Sequence, residues 1–324
     1  MTKIDLITGI LGSGKTTFLR RYAEDLINSG KRTAILENDF GAVNIDMMLL
    51  QDLKGENCQL EMIAGGCDSD CHRRRFKTQL ISLGMQHFDR VIIEPSGIFD
   101  MDEFFDTLHE PPLDNWFEIG SIITVIDAPT EEVLPPHMEY LFASEAACCG
   151  KLVLSKTEHS SLPPEEAAAN MLRRLNDSLE KIKCDRKFSA ADMLVKPIAS
   201  LTGADFEMLR NAGYRGSSYV KLFDTDSIRS SVHYFMHINV REEDIKPMTG
   251  EILSDAACGS VFRIKGYIPA GEGWLKVNIA DGKTEISRVN EGQSVLIVIG
   301  DDISREDIDR HIKKYNTDPE YVSV

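Results

Sequence analysis

Residues 4–17, IDLITGILGSGKTT, decide the fold of this chain of 324 residues. Residues 9–16 match the phosphate-binding pattern G-x-x-x-x-G-K-[ST] at every position. The apolar run at residues 4–7 predicts a buried strand, and the apolar residues at 18, 19, 22 and 26 predict a helix that ends at Gly30. The pattern requires a strand, a glycine-rich turn and a helix in this order, so the stretch predicts a phosphate-binding loop.

The chemistry of phosphate binding explains each part of this loop. Small residues at positions 12–14 let backbone N–H groups turn towards phosphate oxygens, and the N-terminus of the following helix adds partial positive charge. Lys15 supplies a full charge with a catalytic role, and the Thr16 hydroxyl is a ligand for Mg²⁺. A glycine-rich turn without a ligand is the alternative, which the lysine and hydroxyl disfavour. The predicted nucleotide-binding residues of the loop are Gly12, Ser13, Gly14, Lys15, Thr16 and Thr17.

Composition restricts the class of protein. Hydrophobic residues make up 42% and charged residues 27%, which is typical of a soluble globular protein. The formal net charge of −16 disfavours a nucleic-acid groove. No apolar run reaches the ~20 residues of a membrane-spanning helix, and the early strand leaves no room for a cleavable signal peptide. Seven scattered cysteines indicate reduced thiols, so we expect a cytoplasmic protein without a membrane partner.

Strands and helices alternate through the first two thirds of the chain. This order predicts an α/β fold with a parallel sheet and helices on both faces. The predicted strands after the loop are Thr33–Glu37, Leu60–Ile63, Phe88–Ile93, Ile119–Ile126, Lys151–Leu154 and Val195–Ala199. The predicted helices lie before Met85, near His137–Cys148 and at Pro163–Ile182. Because ligands of such sheets bind at the carboxyl ends of the strands, the polar motifs that follow these strands are expected to meet at one edge.

The pattern changes beyond an irregular stretch at residues 213–231. Strands are predicted at His233–Val240, Ser260–Ile268, Trp274–Ile279, Glu285–Val289 and Ser294–Ile299, with a hairpin turn at Asp281-Gly282. Helices are predicted at Met248–Ala257 and after Ser304, which is an N-cap. The sequence therefore predicts two domains, a P-loop domain at 1–215 and a smaller α+β domain at 232–324.

Two further motifs fit a nucleotide site. Glu94 ends a strand and is expected to hold Mg²⁺ with a catalytic role, while the N–H of Gly97 would contact the γ-phosphate; an ordinary strand-to-loop turn is the alternative. Ser155-Lys156-Thr157-Glu158 corresponds to the guanine-reading Asn-Lys-x-Asp, with Lys156 along the ring and Glu158 as the carboxylate. The carboxylate is one methylene further out than Asp, and a solvated strand end is an equally good interpretation.

A cysteine-containing loop is a candidate site for a transition metal. Cys67 and Cys71 are four residues apart, with Asp70 between them and His72 after them. Thiolate, imidazole and carboxylate are ligands for Zn²⁺ or a similar divalent ion, although two incidental thiols remain an alternative at this unusual spacing. His233 and His237 are four apart in a predicted strand, and a structural role is favoured for them.

Together these motifs resemble those of the CobW-like P-loop GTPases, a family of metal chaperones and metallocentre-assembly factors. The resemblance rests on residues 9–17, 37–41, 45–46, 66–67, 88–97, 124–127 and 156–157, and more faintly on 261–267. It implies binding of GTP and GDP, slow Mg²⁺-dependent hydrolysis, and delivery of zinc, cobalt or another metal to a client metalloprotein. Glu37 becomes a further candidate ligand beside Cys67, Asp70 and Cys71.

The sequence departs from the family pattern in its metal motif. The family's Gly-Cys-x-Cys-Cys falls on residues 66–70, so that Ser69 and Asp70 replace two cysteines and Cys71 lies one position beyond. Ala42 stands where an acidic residue is frequent, and the His-rich stretch of the family is absent. The alternatives are a P-loop ATPase or small-molecule kinase without a metal role, and a scaffold that binds nucleotide without hydrolysis. The oligomeric state stays open, with a homodimer among the options.

Overall fold

The computed structural model describes residues 1–10, 12–39, 46–64, 69–95, 99, 101–128, 134, 136–223, 232–271, 273–280, 283–289, 292 and 294–323. The chain divides into two compact units. The first comprises residues 1–40 and 49–225, and the second comprises residues 41–48 and 226–324.

The first unit contains a parallel sheet with seven strands in its described part. The strands are β1 (Thr2–Thr8), β2 (Thr33–Asp39), β3 (Cys58–Ala64), β4 (Arg90–Pro95), β5 (Phe117–Asp127), β6 (Lys151–Ser155) and β7 (Met193–Val195). The helices are α1 (Lys15–Asn28), α2 (Ser69–Gly84), α3 (Met101–Leu108), α4 (Leu113–Trp116), α5 (Pro136–Ala147), α6 (Pro164–Lys181) and α7 (Gly203–Arg210). Short 3₁₀ helices lie at Asp46–Leu53, Thr157–His159, Ala190–Asp192 and Ile198–Ser200.

The sheet order places β1 at the centre. The strands follow one another as β3-β2-β4-β1-β5-β6-β7, and all of their pairings are parallel. The carboxyl end of β1 therefore lies between those of β4 and β5. Helix α1 begins directly after the loop at this end and buries Phe18, Leu19 and Tyr22 on one face. The predicted P-loop α/β fold is confirmed, and its phosphate-binding loop lies in the middle of the sheet edge.

The second unit contains an antiparallel sheet. Its strands are β8 (Val232–Met236), β9 (Ser260–Pro269), β10 (Trp274–Ala280), β11 (Lys283–Val289), β12 (Val295–Asp301) and β13 (Val322–Ser323), in the order β11-β10-β9-β12-β8-β13. Its helices are α8 (Glu242–Ser254) and α9 (Arg305–Tyr315), with a 3₁₀ helix at Ala256–Cys258. Both helices bury isoleucines in the core of this unit, among them Ile245, Ile252 and Ile308. The predicted antiparallel α+β region is confirmed, whereas the turn residues Asp281 and Gly282 lie outside the described residues.

Several predicted boundaries are wrong for identifiable reasons. The strand predicted at Val195–Ala199 ends at Val195, because Pro197 cannot donate to a strand ladder, and a 3₁₀ turn follows. β8 ends at Met236, because His237 adopts a left-handed backbone with φ 56°, so His233 and His237 do not share a strand. α8 begins at Glu242 rather than Met248, because three acidic residues favour its first turn and the helix continues through Pro247.

Three helices of the first unit were not predicted, and one begins earlier than expected. Helices α3, α4 and α7 had no assignment, although Thr202 and Asp205 form a capping box at the start of α7. Helix α2 begins at Ser69, so Cys71 and His72 lie in its first turn rather than in a loop. Within the described ranges, no helix combines the length and the apolar character that crossing a membrane requires.

Candidate nucleotide and metal site

Three glycines of the phosphate-binding loop have backbone conformations that side chains disfavour. Gly9 has φ +134°, Gly12 has φ +88° and Gly14 has φ +95°. A β-carbon at Gly9 would lie 2.2 Å from the carbonyl oxygen of Val125 in β5. Glycine is therefore required at position 9 because the loop passes directly over the neighbouring strand.

Lys15 is held inside the loop by backbone oxygens. Its Nζ donates to the carbonyl of Gly9 at 2.7 Å, and its side chain is buried. On the other side of Gly9, the backbone N–H donates to Oε2 of Glu145 at 2.8 Å. Glu145 belongs to α5 and is 1% exposed. A buried carboxylate thus supports the loop that Lys15 closes.

The environment of Glu145 favours its protonated form. Burial raises the pKa of the Glu145 carboxyl to about 7, while the charge of Lys15 and the N–H of Gly9 act in the opposite direction. The sequence offered a signal for this residue that the motif search did not use. Glu145 is the single charged residue in the otherwise buried stretch from Tyr140 to Ala147.

The two predicted Mg²⁺ ligands lie in contact. The Thr16 hydroxyl donates to Oε1 of Glu94 at 2.8 Å, which joins the first turn of α1 to the end of β4. Glu94 also pairs in register with Glu37 of β2, and both carboxylates are buried. Because paired residues of neighbouring strands face the same side of a sheet, the two acidic side chains are neighbours. This edge therefore concentrates hard oxygen ligands beside the phosphate-binding loop.

The end of β6 contacts the other side of the loop. Nζ of Lys156 donates to the carbonyl of Gly12 at 2.7 Å and lies 3.5 Å from Oδ2 of Asp127. Ser155 donates its hydroxyl to the carbonyl of Ser13. Lys156 has a left-handed backbone, which turns the chain sharply after the strand. The predicted base-reading segment is thus bonded directly to the phosphate-binding loop.

The remaining predicted nucleotide-binding residues differ in exposure. Thr17 and Glu158 are exposed, Glu158 within the 3₁₀ helix that follows Lys156. Gly97 lies outside the described residues.

The structure describes only part of the proposed transition-metal set. Glu37 lies in β2, two residues before the strand ends, and Cys71 is half-buried in α2. Cys67 and the side chain of Asp70 lie outside the part of the chain that is described. Cys71 lines a surface cavity of about 380 Å³ next to β3. The other residues of this cavity are Met62, Ile63, Arg74, Arg75, Thr78 and Gln79.

A buried hydrogen bond joins the helix of Cys71 to the strand of Glu37. Nε2 of His72 lies 2.6 Å from Oδ1 of Asn38, and these side chains are 1% and 2% exposed. His72 follows Cys71, and Asn38 follows Glu37, so each proposed ligand is one residue from this bond. The sequence placed both residues in candidate loops but did not indicate that they would contact each other.

The fold and the loop define a P-loop nucleotide-binding domain. The family model described as "CobW/HypB/UreG, nucleotide-binding domain" matches residues 3–189, which is more than half of the 324 residues. The chain therefore belongs to the CobW/HypB/UreG family.

Three curated relatives illustrate this membership. The zinc chaperone YeiR of Escherichia coli is 23% identical over 304 residues, covering 86% of this chain and 86% of that protein. The zinc chaperone YjiA of Escherichia coli is 28% identical over 163 residues, covering 48% and 49%. The zinc-regulated GTPase metalloprotein activator 1 of Schizosaccharomyces pombe is 29% identical over 164 residues, covering 48% and 39%.

Proposed function

We propose that this protein is a Mg²⁺-dependent GTPase of the cytoplasm that binds a divalent transition metal and delivers it to a client metalloprotein. Nucleotide state changes its affinity for that metal. One observation carries this proposal: Glu94, bonded to Thr16 of the nucleotide site, stands beside Glu37 of the proposed metal site on the paired strands β4 and β2. The names of the relatives, two zinc chaperones and a zinc-regulated GTPase, support it.

The nucleotide half of the mechanism follows from the loop. Lys15 and the backbone N–H groups of residues 12–16 bind the phosphates and orient them at the start of α1. The hydroxyl of Thr16 and the carboxylate of Glu94 are hard oxygen ligands in contact, so these residues fit Mg²⁺. When bound, Mg²⁺ neutralises phosphate charge. Burial of Lys15 and Glu94 excludes water around them and strengthens their electrostatic effect.

The metal half uses Cys67, Asp70 and Cys71, with Glu37 as a further ligand. Two thiolates with a carboxylate suit Zn²⁺ or Co²⁺ better than a purely hard or purely soft ion. The His72–Asn38 bond provides a mechanical connection, because any shift of β2 next to the nucleotide site is transmitted to the first turn of α2. A nucleotide that shifts β2 would thereby change the position of Cys71 in α2.

A calorimetric titration tests the proposal. We expect the Zn²⁺ dissociation constant to differ at least about fivefold between protein loaded with Mg²⁺ and a non-hydrolysable GTP analogue and protein loaded with GDP. The Cys67→Ser, Cys71→Ser double variant should lose this difference. Identical Zn²⁺ affinities in both nucleotide states would refute the coupling. If the protein hydrolyses GTP but binds no Zn²⁺, it is an NTPase without a metal role.

The exposed position of Glu158 favours a modest rather than a strict preference for GTP over ATP. Loss of a good charged bidentate pair costs about 1.5–3 kcal/mol, which bounds the preference at roughly ten- to a hundredfold. Competition between GDP and ADP measures it, and Glu158→Asp should sharpen it. Equal affinities for the two nucleotides would favour the ATPase or small-molecule kinase.

A further inference from the structure

A cluster of three different ligand types lies in the second unit, outside every motif considered above. Asp255, Cys258 and His311 each present one ligating atom, and these atoms all lie within 4.8 Å of one another. Asp255 follows the end of α8, Cys258 ends the next 3₁₀ turn, and His311 lies on α9. Two segments that are distant in sequence therefore bring carboxylate, thiol and imidazole together.

Both ring nitrogens of His311 face carboxylates. Nδ1 lies 3.2 Å from Oε2 of Glu251, and Nε2 lies 2.7 Å from Oδ2 of Asp255. The other oxygen of Glu251 accepts from Lys314 and Tyr315, each at 2.6 Å. A histidine that ligates a metal commonly uses one nitrogen for the ion and donates the other N–H to a carboxylate. Glu251 is placed to orient the ring in this way.

The sulfur of Cys258 is buried without a hydrogen-bond partner among the described residues. The side chain is 0% exposed. Two other buried cysteines differ in this respect, since Cys148 and Cys184 have their sulfurs 3.9 and 3.5 Å from the hydroxyl of Ser217. Cys58 is likewise buried, so what distinguishes Cys258 is its position next to Asp255 and His311, where a bound cation would partner its sulfur.

The backbone around Cys258 is fixed by close packing. Its carbonyl accepts from the N–H of Ser304 at 3.2 Å. Gly259 has φ +81°, and a β-carbon there would lie 2.3 Å from the carbonyl oxygen of Asp302. Oδ1 of Asp255 accepts from the N–H of Ala257 at 3.0 Å, which leaves Oδ2 facing His311. These contacts fix the backbone on both sides of Cys258 and one oxygen of Asp255, while the ligating atoms themselves lie on side chains.

We propose that Asp255, Cys258 and His311 form a binding site for one Zn²⁺-class divalent ion, with Glu251 orienting His311. Thiolate, imidazole and carboxylate ligands bind zinc at about 2.0–2.3 Å, so tetrahedral ligands stand roughly 3.3–3.6 Å apart. The contact at 2.7 Å would widen and the separations of up to 4.8 Å would shorten on binding. Both changes require the side chains of Asp255, Cys258 and His311 to rotate about the fixed backbone. Three protein ligands leave a fourth position for water or a ligand exchanged during transfer.

A purely structural ion pair is the competing explanation. His311 between two carboxylates, with Arg310 3.7 Å from Asp255, would stabilise the packing of α9 on α8 without any metal. Such an ion pair makes no use of the Cys258 sulfur. A readout that reports a metal–sulfur bond therefore separates the two explanations.

Co²⁺ titration of the full chain provides this readout. The background is the Cys67→Ser, Cys71→Ser double variant, so that failure of the proposed nucleotide-linked site does not affect the result. We expect about one equivalent of Co²⁺ to bind with thiolate-to-metal charge-transfer absorption. Adding Cys258→Ser should abolish this absorption, whereas Cys184→Ser, which alters a buried cysteine in the other unit, should preserve it.

Two milder variants keep the test decisive if Cys258→Ser fails to fold by circular dichroism. Asp255→Asn retains a side chain able to cap the 3₁₀ turn and should weaken Co²⁺ binding. Glu251→Gln should lower the affinity about 10- to 100-fold, with the charge-transfer band still present at saturation. Absence of charge-transfer absorption in the double-variant background would overturn the proposal. So would unchanged absorption in Cys258→Ser, or unchanged affinity in Asp255→Asn.

Discussion

Lys15 contributes the full positive charge within the phosphate-binding loop, and its Nζ donates to the carbonyl oxygens of Gly9 and Ile10. We expect Lys15→Ala to abolish nucleotide binding or turnover while the fold is kept, because its partners are loop carbonyls rather than core groups. Fluorescent-nucleotide binding and GTP hydrolysis measure the effect. Lys31→Ala, which removes an exposed lysine, is the control. Wild-type hydrolysis by the Lys15 variant would show that the loop is not the reaction site.

Glu145 makes the stability of the first unit depend on pH. The pKa of its carboxyl is raised to about 7 in the folded protein from an ordinary value of 4.5. Below pH 4.5 the group is protonated in both states; as pH rises towards 7 the unfolded chain ionises first, and stability is lost. This single group should lower the free energy of unfolding by about 2 kcal/mol between pH 5 and pH 7.

Glu145→Gln isolates this effect, because the amide oxygen still accepts from the N–H of Gly9 but does not titrate. Urea unfolding at pH 5 and pH 7 should show the variant gaining about 2 kcal/mol relative to wild type as pH rises. A variant that tracks wild type at both pH values would mean that Glu145 titrates normally.

At the level of elements, the His72–Asn38 hydrogen bond that joins α2 to β2 can be tested with a single variant and then with a double variant. His72→Leu leaves the buried amide of Asn38 without its partner and should cost about 1–3 kcal/mol of stability. It should also reduce the factor by which nucleotide changes Zn²⁺ affinity. Urea unfolding and calorimetry measure the two effects separately.

The Asn38→Leu, His72→Leu double variant separates stability from coupling. Replacing both polar partners with apolar groups is often nearly neutral, so we expect most of the lost stability to return. The nucleotide effect on Zn²⁺ affinity should stay reduced, since the connection between α2 and β2 is still missing. Recovery of both quantities would show that this bond has only a stabilising role.

Local patterns predicted the elements where periodicity and turn chemistry agreed. β1 and α1 follow from the apolar run, the glycine loop and the helical spacing of Phe18, Leu19 and Tyr22. The strand predicted beyond Val195 was wrong. Its apolar residues continue across Pro197, but proline has no N–H to donate to the neighbouring strand, so the strand ends before it. Helix α7 was not predicted because it is only eight residues long, although the sequence contains its capping box of Thr202 and Asp205.

The candidate sites were predictable only where one motif contains them. The phosphate-binding loop and Glu94 follow from motif spacing, and the Thr16–Glu94 contact agrees with it. Pairing of Glu37 with Glu94 depends on β2 lying next to β4, which is set by sheet order and not by local sequence. Asp255 and His311 are 56 residues apart and meet through the packing of α9 against the end of α8. No window of sequence contains that contact.

For the whole molecule, coupling between nucleotide and metal must be reciprocal. If a GTP analogue changes Zn²⁺ affinity by some factor, saturating Zn²⁺ must change the affinity for that analogue by the same factor. Coupling of this kind is typically about 1–3 kcal/mol, or roughly 5- to 150-fold. We expect the two measured factors to agree. In the Cys67→Ser, Cys71→Ser variant both factors should fall to about 1, which means no coupling. Cys258→Ser should leave both unchanged, because the cluster in the second unit is proposed as a separate site. Loss of coupling in Cys258→Ser with retention in the double variant would assign the nucleotide-linked metal to the second unit instead.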